Sequence, residues 1–353
     1  MNLWKAVRFC RRIIYAFSVD NYPYRTLSTL WVSAIAVLFF MTHGASASSV
    51  HLAALMPVEG RFQAVLEEIR DQAGPGYSID VIDINKNPTV KTISDQCTSV
   101  NATGLILMDT KAVNAALELE KYDSAFKAMP KFVYMTLLSE LVARGLSNTA
   151  GITFEVPFYT LVTNFRIISQ KDFTRVGIFY RNSFAHSIEE SKRLLEREQI
   201  TISAVCLDCD NGKKPSIENL LHVMNDSLDK LVSKEKVEVF IVPADNFIVN
   251  SKTLSEFWLG KIRKKRIPVI ATIDFLASAQ FGAAVFAADP DLTQLAAQAA
   301  NQITKHFEDK TPMNKIGFEP TISIKSTLNI HVADELGWNL KNEKLRRITT
   351  IIK

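Results

Sequence analysis

Short runs of consecutive apolar residues, each followed by a stretch of helical periodicity, organise most of the chain. Val50–Leu55 (VHLAAL) reads as a buried strand. Phe62, Val65, Leu66 and Ile69 then recur at helical spacing, and Gly74-Pro75-Gly76 ends that helix. Ile79, Val81, Ile82 and Ile84 mark a second strand, and Gly104–Met108 (GLILM) a third, with a helix expected from Ala112. Lys131–Leu137 (KFVYMTL) marks a fourth. Arg175–Tyr180 (RVGIFY), Ile202–Val205, Val237–Val242 (VEVFIV) and Ile267–Ala271 (IPVIA) continue the series. Helical patterns lie near Ile188–Glu198, Ile217–Val232 and Leu254–Lys264.

This alternation predicts parallel sheets joined by crossover helices. Strands that are apolar throughout, rather than at every second residue, predict sheets covered on both faces. The two series are separated near Asn148–Phe158, so the expected fold is α/β, with two doubly wound parallel-sheet lobes. The first lobe is expected to comprise residues 48–154 plus 277–312, and the second 155–276 plus 313–353.

The first 47 residues have a different pattern. Basic positions come first, then an apolar run from Leu30 to Met41 (LWVSAIAVLFFM), then small residues over His43–Ser48. This is the layout of a secretory signal peptide, with cleavage expected after Ala47. The apolar run is shorter than the roughly 20 residues a membrane-spanning helix needs. An uncleaved N-terminal anchor is the alternative, and in both cases the body of the protein is exported to the periplasm.

That segment also accounts for the charge. Of the 353 residues, 47% are hydrophobic and 22% charged, which excludes a disordered or fibrous chain. The formal charge of +4 is carried entirely by Lys5, Arg8, Arg11, Arg12 and Arg25 against Asp20. The remaining chain is neutral and offers no basic stripe for nucleic acid. Cys97, Cys206 and Cys209 lie beyond the leader. Cys206-Leu207-Asp208-Cys209 follows an apolar strand and precedes a turn, instead of opening a helix as a redox CxxC does. No second Cys/His pair completes a zinc site. A local disulfide or two inert thiols is therefore expected, with no metal and no cofactor.

Open parallel sheets bind ligands beyond the carboxyl ends of their strands. The residues following each strand are therefore the candidate site: Glu59, Asp109, Thr110, Thr136, Arg181, His186, Ser187, Asp245, Asn246 and Asp274. Each can also serve to cap the next helix, and Asp109, Thr110 and Ser187 are ordinary capping types. Among aromatics in the same loops, two of Phe154, Phe158, Phe184, Phe247 and Phe275 are expected to stack on a ligand.

From Arg175 onward the sequence resembles the exported substrate-binding proteins of ABC transporters, in the branch often linked to aromatic amino acids. Arg175–Ile188 (RVGIFYRNSFAHSI) is similar to that family's VGVLYNP strand and following Asn-Ser loop: Tyr180 and Ser187 match, whereas Arg181 and His186 stand where asparagines are usual. Phe240–Asn246 (FIVPADN) matches a strand ending in Pro-Thr-Asp-Asn, apart from Ala244. Ile267-Pro268-Val269 leads to Asp274, one position away from the family's acidic residue. Gly282-Ala283 with Pro290-Asp291, then the helix Leu295–Phe307 and Lys310-Thr311-Pro312, and finally Leu328–Gly337 (LNIHVADELG) complete an ordered series.

The resemblance implies a type I periplasmic-binding fold and a monomeric receptor that closes on a small molecule, such as an amino acid or small anion. It also implies delivery to an ABC permease in the inner membrane. By position, it implies that Asp245 and Asn246 meet a polar or cationic group such as an amine. It places a ligand carboxylate at the helix start around Ser183–Ser187. Arg181 would favour an anion if it faces the cleft, or else be a solvated rim residue. A membrane-tethered sensor of the same fold is the alternative. An enzyme using His186 with Asp245 or Glu59 is disfavoured, because no G-x-S-x-G, HExxH or Gly-rich phosphate motif is present.

Overall fold

The computed structural model describes residues 50–209 and 216–353. The expected signal segment lies outside the described residues. Ser49–Lys353 forms one compact unit containing two sheets. The first sheet is built from β1 (Val50–Met56), β2 (Tyr77–Asp83), β3 (Gly104–Met108), β4 (Lys131–Tyr134), β5 (Thr149–Thr153) and β11 (Phe318–Pro320), in the order β11-β5-β4-β3-β1-β2 and parallel throughout. The second contains β6 (Arg175–Tyr180), β7 (Thr201–Cys206), β8 (Val239–Val242), β9 (Val269–Ala271), β10 (Phe286–Pro290), β12 (Ile324–Asn329) and β13 (Thr350–Ile352). Their order is β13-β12-β10-β9-β8-β6-β7, and β10 and β12 form its one antiparallel pair.

The apolar strands are buried on both faces, and the pleat divides their side chains between two cores. Leu52, Ala54 and Met56 of β1 lie in one cluster, and Ala53 and Leu55 in the other. The second sheet repeats this, with Val239 and Ile241 of β8 on one face and Phe240 and Val242 on the opposite face. Two helices complete the cores. Helix α1 (Gly60–Ala73) contributes Phe62, Val65, Leu66 and Ile69 to the first lobe. Helix α2 (Phe158–Ile168) contributes Leu161, Val162, Phe165 and Ile168 to the second. At about 1.5–3 kcal/mol for each large side chain fully buried, these faces fix the register of helix on sheet.

The chain passes between the sheets after β5, after β10 and after β11. The segment 277–290, expected with the first lobe, thus belongs with the second: β10 pairs with β9 and β12. Helix α3 (Leu292–Phe307) returns to the first lobe, placing Leu295, Ala296, Ala299 and Ile303 against the same core as α1. Residues 318–320, expected with the second lobe, pair with β5 in the first. These short strands carry too few apolar residues for periodicity to assign them to a sheet, and hydrogen-bond pairing decides instead.

Candidate functional site

Both sheets have the same winding. In the first, β1 and β3 are neighbours and the chain proceeds from β3 in one direction, with β2 on the opposite side of β1. In the second, β6 and β8 play those parts, with β7 outside β6. Each sheet thus has a topological switch point, where the loops leaving two adjacent strands diverge and open a crevice. In the first lobe those loops carry Glu59 and Asp109-Thr110. In the second they carry Arg181–Ser187 and Asp245-Asn246.

The first-lobe loops are knitted together by side chains. Asn85 donates to Glu59 Oε1, and its own Oδ1 accepts from Lys111 Nζ at 3.4 Å. The Asp109 carboxylate accepts from the Lys111 amide at 2.8 Å and so caps the following helix, while the Asp109 amide donates to Thr136 Oγ1 at 3.2 Å. Thr136 is 1% exposed and donates in turn to Tyr134 O at 3.1 Å. Its hydroxyl is thereby committed to holding two loops together. Thr110 is exposed at the helix start. Asp109 has φ +90°, Met135 +50° and Leu138 +52°. Three non-glycine residues with positive φ beyond β3 and β4 mark backbone held in a costly conformation by its surroundings, a feature concentrated at ligand sites.

In the second lobe, Arg181 and Asp245 meet each other. Arg181 Nε donates to Asp245 Oδ2 at 2.6 Å and Nη2 to Oδ1 at 3.0 Å, a bidentate pair. The Asp245 side chain is 0% exposed and the Arg181 side chain 29%. Asp245 Oδ1 also accepts from the Phe247 amide at 2.8 Å, and the Phe247 ring lies 5.7 Å from the guanidinium carbon. Asp245, read from sequence as the partner of a cationic ligand group, instead has a cation supplied by its own chain. Asn246 beside it is exposed. His186 is exposed and Ser187 half-buried in the first turn of the helix Ala185–Glu196, a helix without a side-chain cap. Ser183 Oγ, just ahead of it, is shut off from solvent with no hydrogen-bond partner.

A further set of charged groups lies on the two lobes, and sequence reasoning found only one member of it. Asp274 is exposed after β9, and Asp289, half-buried, is the penultimate residue of β10. Burial and the Asp274 carboxylate push Asp289 up to about 7, while the positive charge of Arg61 from α1 of the other lobe opposes this. Arg61 also lies over the rings of Phe62 and Phe154, at 5.4 and 6.0 Å. Glu155, on the crossover between β5 and α2, has Oε1 enclosed without a partner, and burial pushes its carboxyl up to about 7. Arg61 could have been found two residues after Glu59. Asp289 and Glu155 gave no signal, since each sits in a segment too short to be recognised.

Of the five loop aromatics, Phe158 and Phe184 are buried and pack together at 6.2 Å, leaving them as core. Phe154 and Phe247 each face an arginine. Phe275 is 39% exposed against Phe281. Cys206 and Cys209 form a disulfide with Cα atoms 5.7 Å apart. Asp208, between them, accepts from the Asn182 amide at 2.6 Å, so this loop braces the residue next to Arg181. Cys97 is a buried free thiol, pushed up to about 11 by burial.

No family model and no curated protein matches the sequence. Solved structures do. A substrate-binding protein with adhesive properties from Clostridium difficile, in its ligand-free open form, is similar at a TM-score of 0.61 and 15% identity, over 86% of this chain and 99% of that one. An ABC domain from Streptococcus pneumonia in complex with L-Trp has TM-score 0.56 and 17% identity, over 86% and 100%. A conserved domain protein from Vibrio cholerae O1 biovar eltor has TM-score 0.55 and 15% identity, over 86% and 99%. These likenesses establish the fold class: two doubly wound lobes of the solute-binding-protein type. Among the described residues, no helix is long and apolar enough to cross a membrane.

Proposed function

We propose that the chain is an exported solute-binding receptor, not an enzyme, which captures a small molecule between its lobes and delivers it to an ABC-type permease. The observation that carries this reading is the pair of matched switch points, one in each sheet. Their loops supply charged and aromatic groups, together with backbone held at positive φ. That suits binding and lobe closure, in which a ligand shifts the equilibrium between open and closed forms by its preference for one of them. The L-Trp carried by the similar Streptococcus pneumonia structure supports a ligand of amino-acid size.

A thermal-shift screen of the full chain against amino acids, their deaminated counterparts and small inorganic anions tests this. A ligand that binds only the native state at 100 times its Kd stabilises by about 2.7 kcal/mol, enough to raise the melting temperature measurably. Absence of any shift, combined with hydrolytic activity lost on Asp245→Asn or His186→Ala, contradicts the proposal.

A further inference from the structure

We infer that Arg181 is a specificity-determining residue which fills, from within the chain, the position a ligand ammonium would take, so that the receptor selects carboxylates lacking an α-amino group. The inference rests on the receptor reading above and narrows its ligand class.

Asp245 follows β8 at the switch point of the second sheet. A free carboxylate there, fully buried, would bring an uncompensated negative charge that a ligand cation could satisfy. That place is taken. Both oxygens accept from Arg181, and Oδ1 accepts again from the Phe247 amide. The two charges cancel locally, and the Asp245 side chain, 0% exposed, presents no surface to a second cation. An ammonium arriving here would lose its water and meet a guanidinium.

The same pair is arranged to receive an anion. Only part of the guanidinium edge is used by Asp245, and the Arg181 side chain keeps 29% of its surface exposed, while that of Asp245 keeps none. Phe247 and the Asp208–Asn182 bond hold the loop from two sides. An alternative anchor for an amine exists in Glu59 and Asp274, both exposed. Their exposure weakens any attraction through solvent screening.

Matched pairs of probes test this by calorimetry on the full chain: 3-phenylpropionate with L-phenylalanine, indole-3-propionate with L-tryptophan, 4-methylpentanoate with L-leucine, and glutarate with L-glutamate. Wild type is expected to bind the deaminated member at least tenfold more tightly in every pair that gives heat. Arg181→Gln should free Asp245 and reverse the order, whereas Arg181→Lys, which keeps a cation beside Asp245, should preserve it. If the Gln variant fails to fold, the wild-type comparison and the Lys variant still decide the matter. Wild type preferring the amino acids overturns the inference but leaves the receptor reading intact. Silence from all eight probes, with no shift in the wider thermal screen, overturns both.

Discussion

Replacing Asp289 by asparagine should remove a pH-dependent destabilisation that the lobe junction imposes on the native state. Asp289 holds its proton up to about pH 7 because it is buried beside Asp274. An unfolded aspartate loses its proton near pH 3.9. Between those values the native state binds more protons than the unfolded chain, so stability falls as pH rises from about 4 to about 7 and is level above that. Integrating the linkage between pH 5 and pH 8 gives a loss of about 2–3 kcal/mol from this one carboxyl. That value already includes the opposing positive charge of Arg61. Asparagine is neutral throughout and keeps the shape. The assay is urea unfolding of wild type and Asp289→Asn at both values. The stability of the variant relative to wild type should rise by about 2–3 kcal/mol on going from pH 5 to pH 8, at unchanged m-value. Asp274→Asn, which removes the neighbouring carboxylate, should reproduce part of the effect. An equal pH response in wild type and Asp289→Asn would refute the reasoning.

Glu155→Gln should behave in the same direction, since its carboxyl is also pushed up to about 7 by burial, here without a neighbouring acid; urea midpoints at pH 5 and pH 8 read it. The disulfide between Cys206 and Cys209 closes a very short loop. Chain entropy limits the loss in Cys206→Ser/Cys209→Ser to about 2 kcal/mol, measured by the same method. Thr136→Val should cost about 1–3 kcal/mol, because it leaves the Asp109 amide without its acceptor at a residue of φ +90°, and thermal unfolding reports it. Gly151→Ala should destabilise by about 1–3 kcal/mol or more, since a Cβ there would run into the Val133 carbonyl and the Phe318 ring where β5 lies between β4 and β11.

The expected strands from Val50 to Ala271 were legible because doubly covered parallel strands leave unbroken apolar runs, as in Gly104–Met108 and Arg175–Tyr180. Register and the return path were not legible. Thr149–Thr153 (TAGIT), Phe286–Pro290 (FAADP) and Phe318–Pro320 (FEP) are short, carry small or polar residues, and are defined by partners far away in sequence. The loops bearing the candidate site followed from strand ends, and Glu59, Asp109, Arg181 and Asp245 do lie beyond their strands. What each side chain does there depends on neighbours that sequence does not bring together. Thr136 joins two loops, and the bond between Arg181 and Asp245 spans 64 positions. The electrostatic influence of Arg61 on Asp289 likewise connects α1 with a strand of the other sheet, far away in sequence.

Capture of a small molecule between the lobes is tested most directly by small-angle X-ray scattering of the full chain, alone and with each of the eight carboxylate and amino-acid probes at saturation. A probe that binds by calorimetry is expected to reduce the radius of gyration, with a dose dependence matching its Kd, as the open form gives way to the closed one. A radius of gyration unchanged at saturation with a bound probe would contradict closure of the lobes around a ligand.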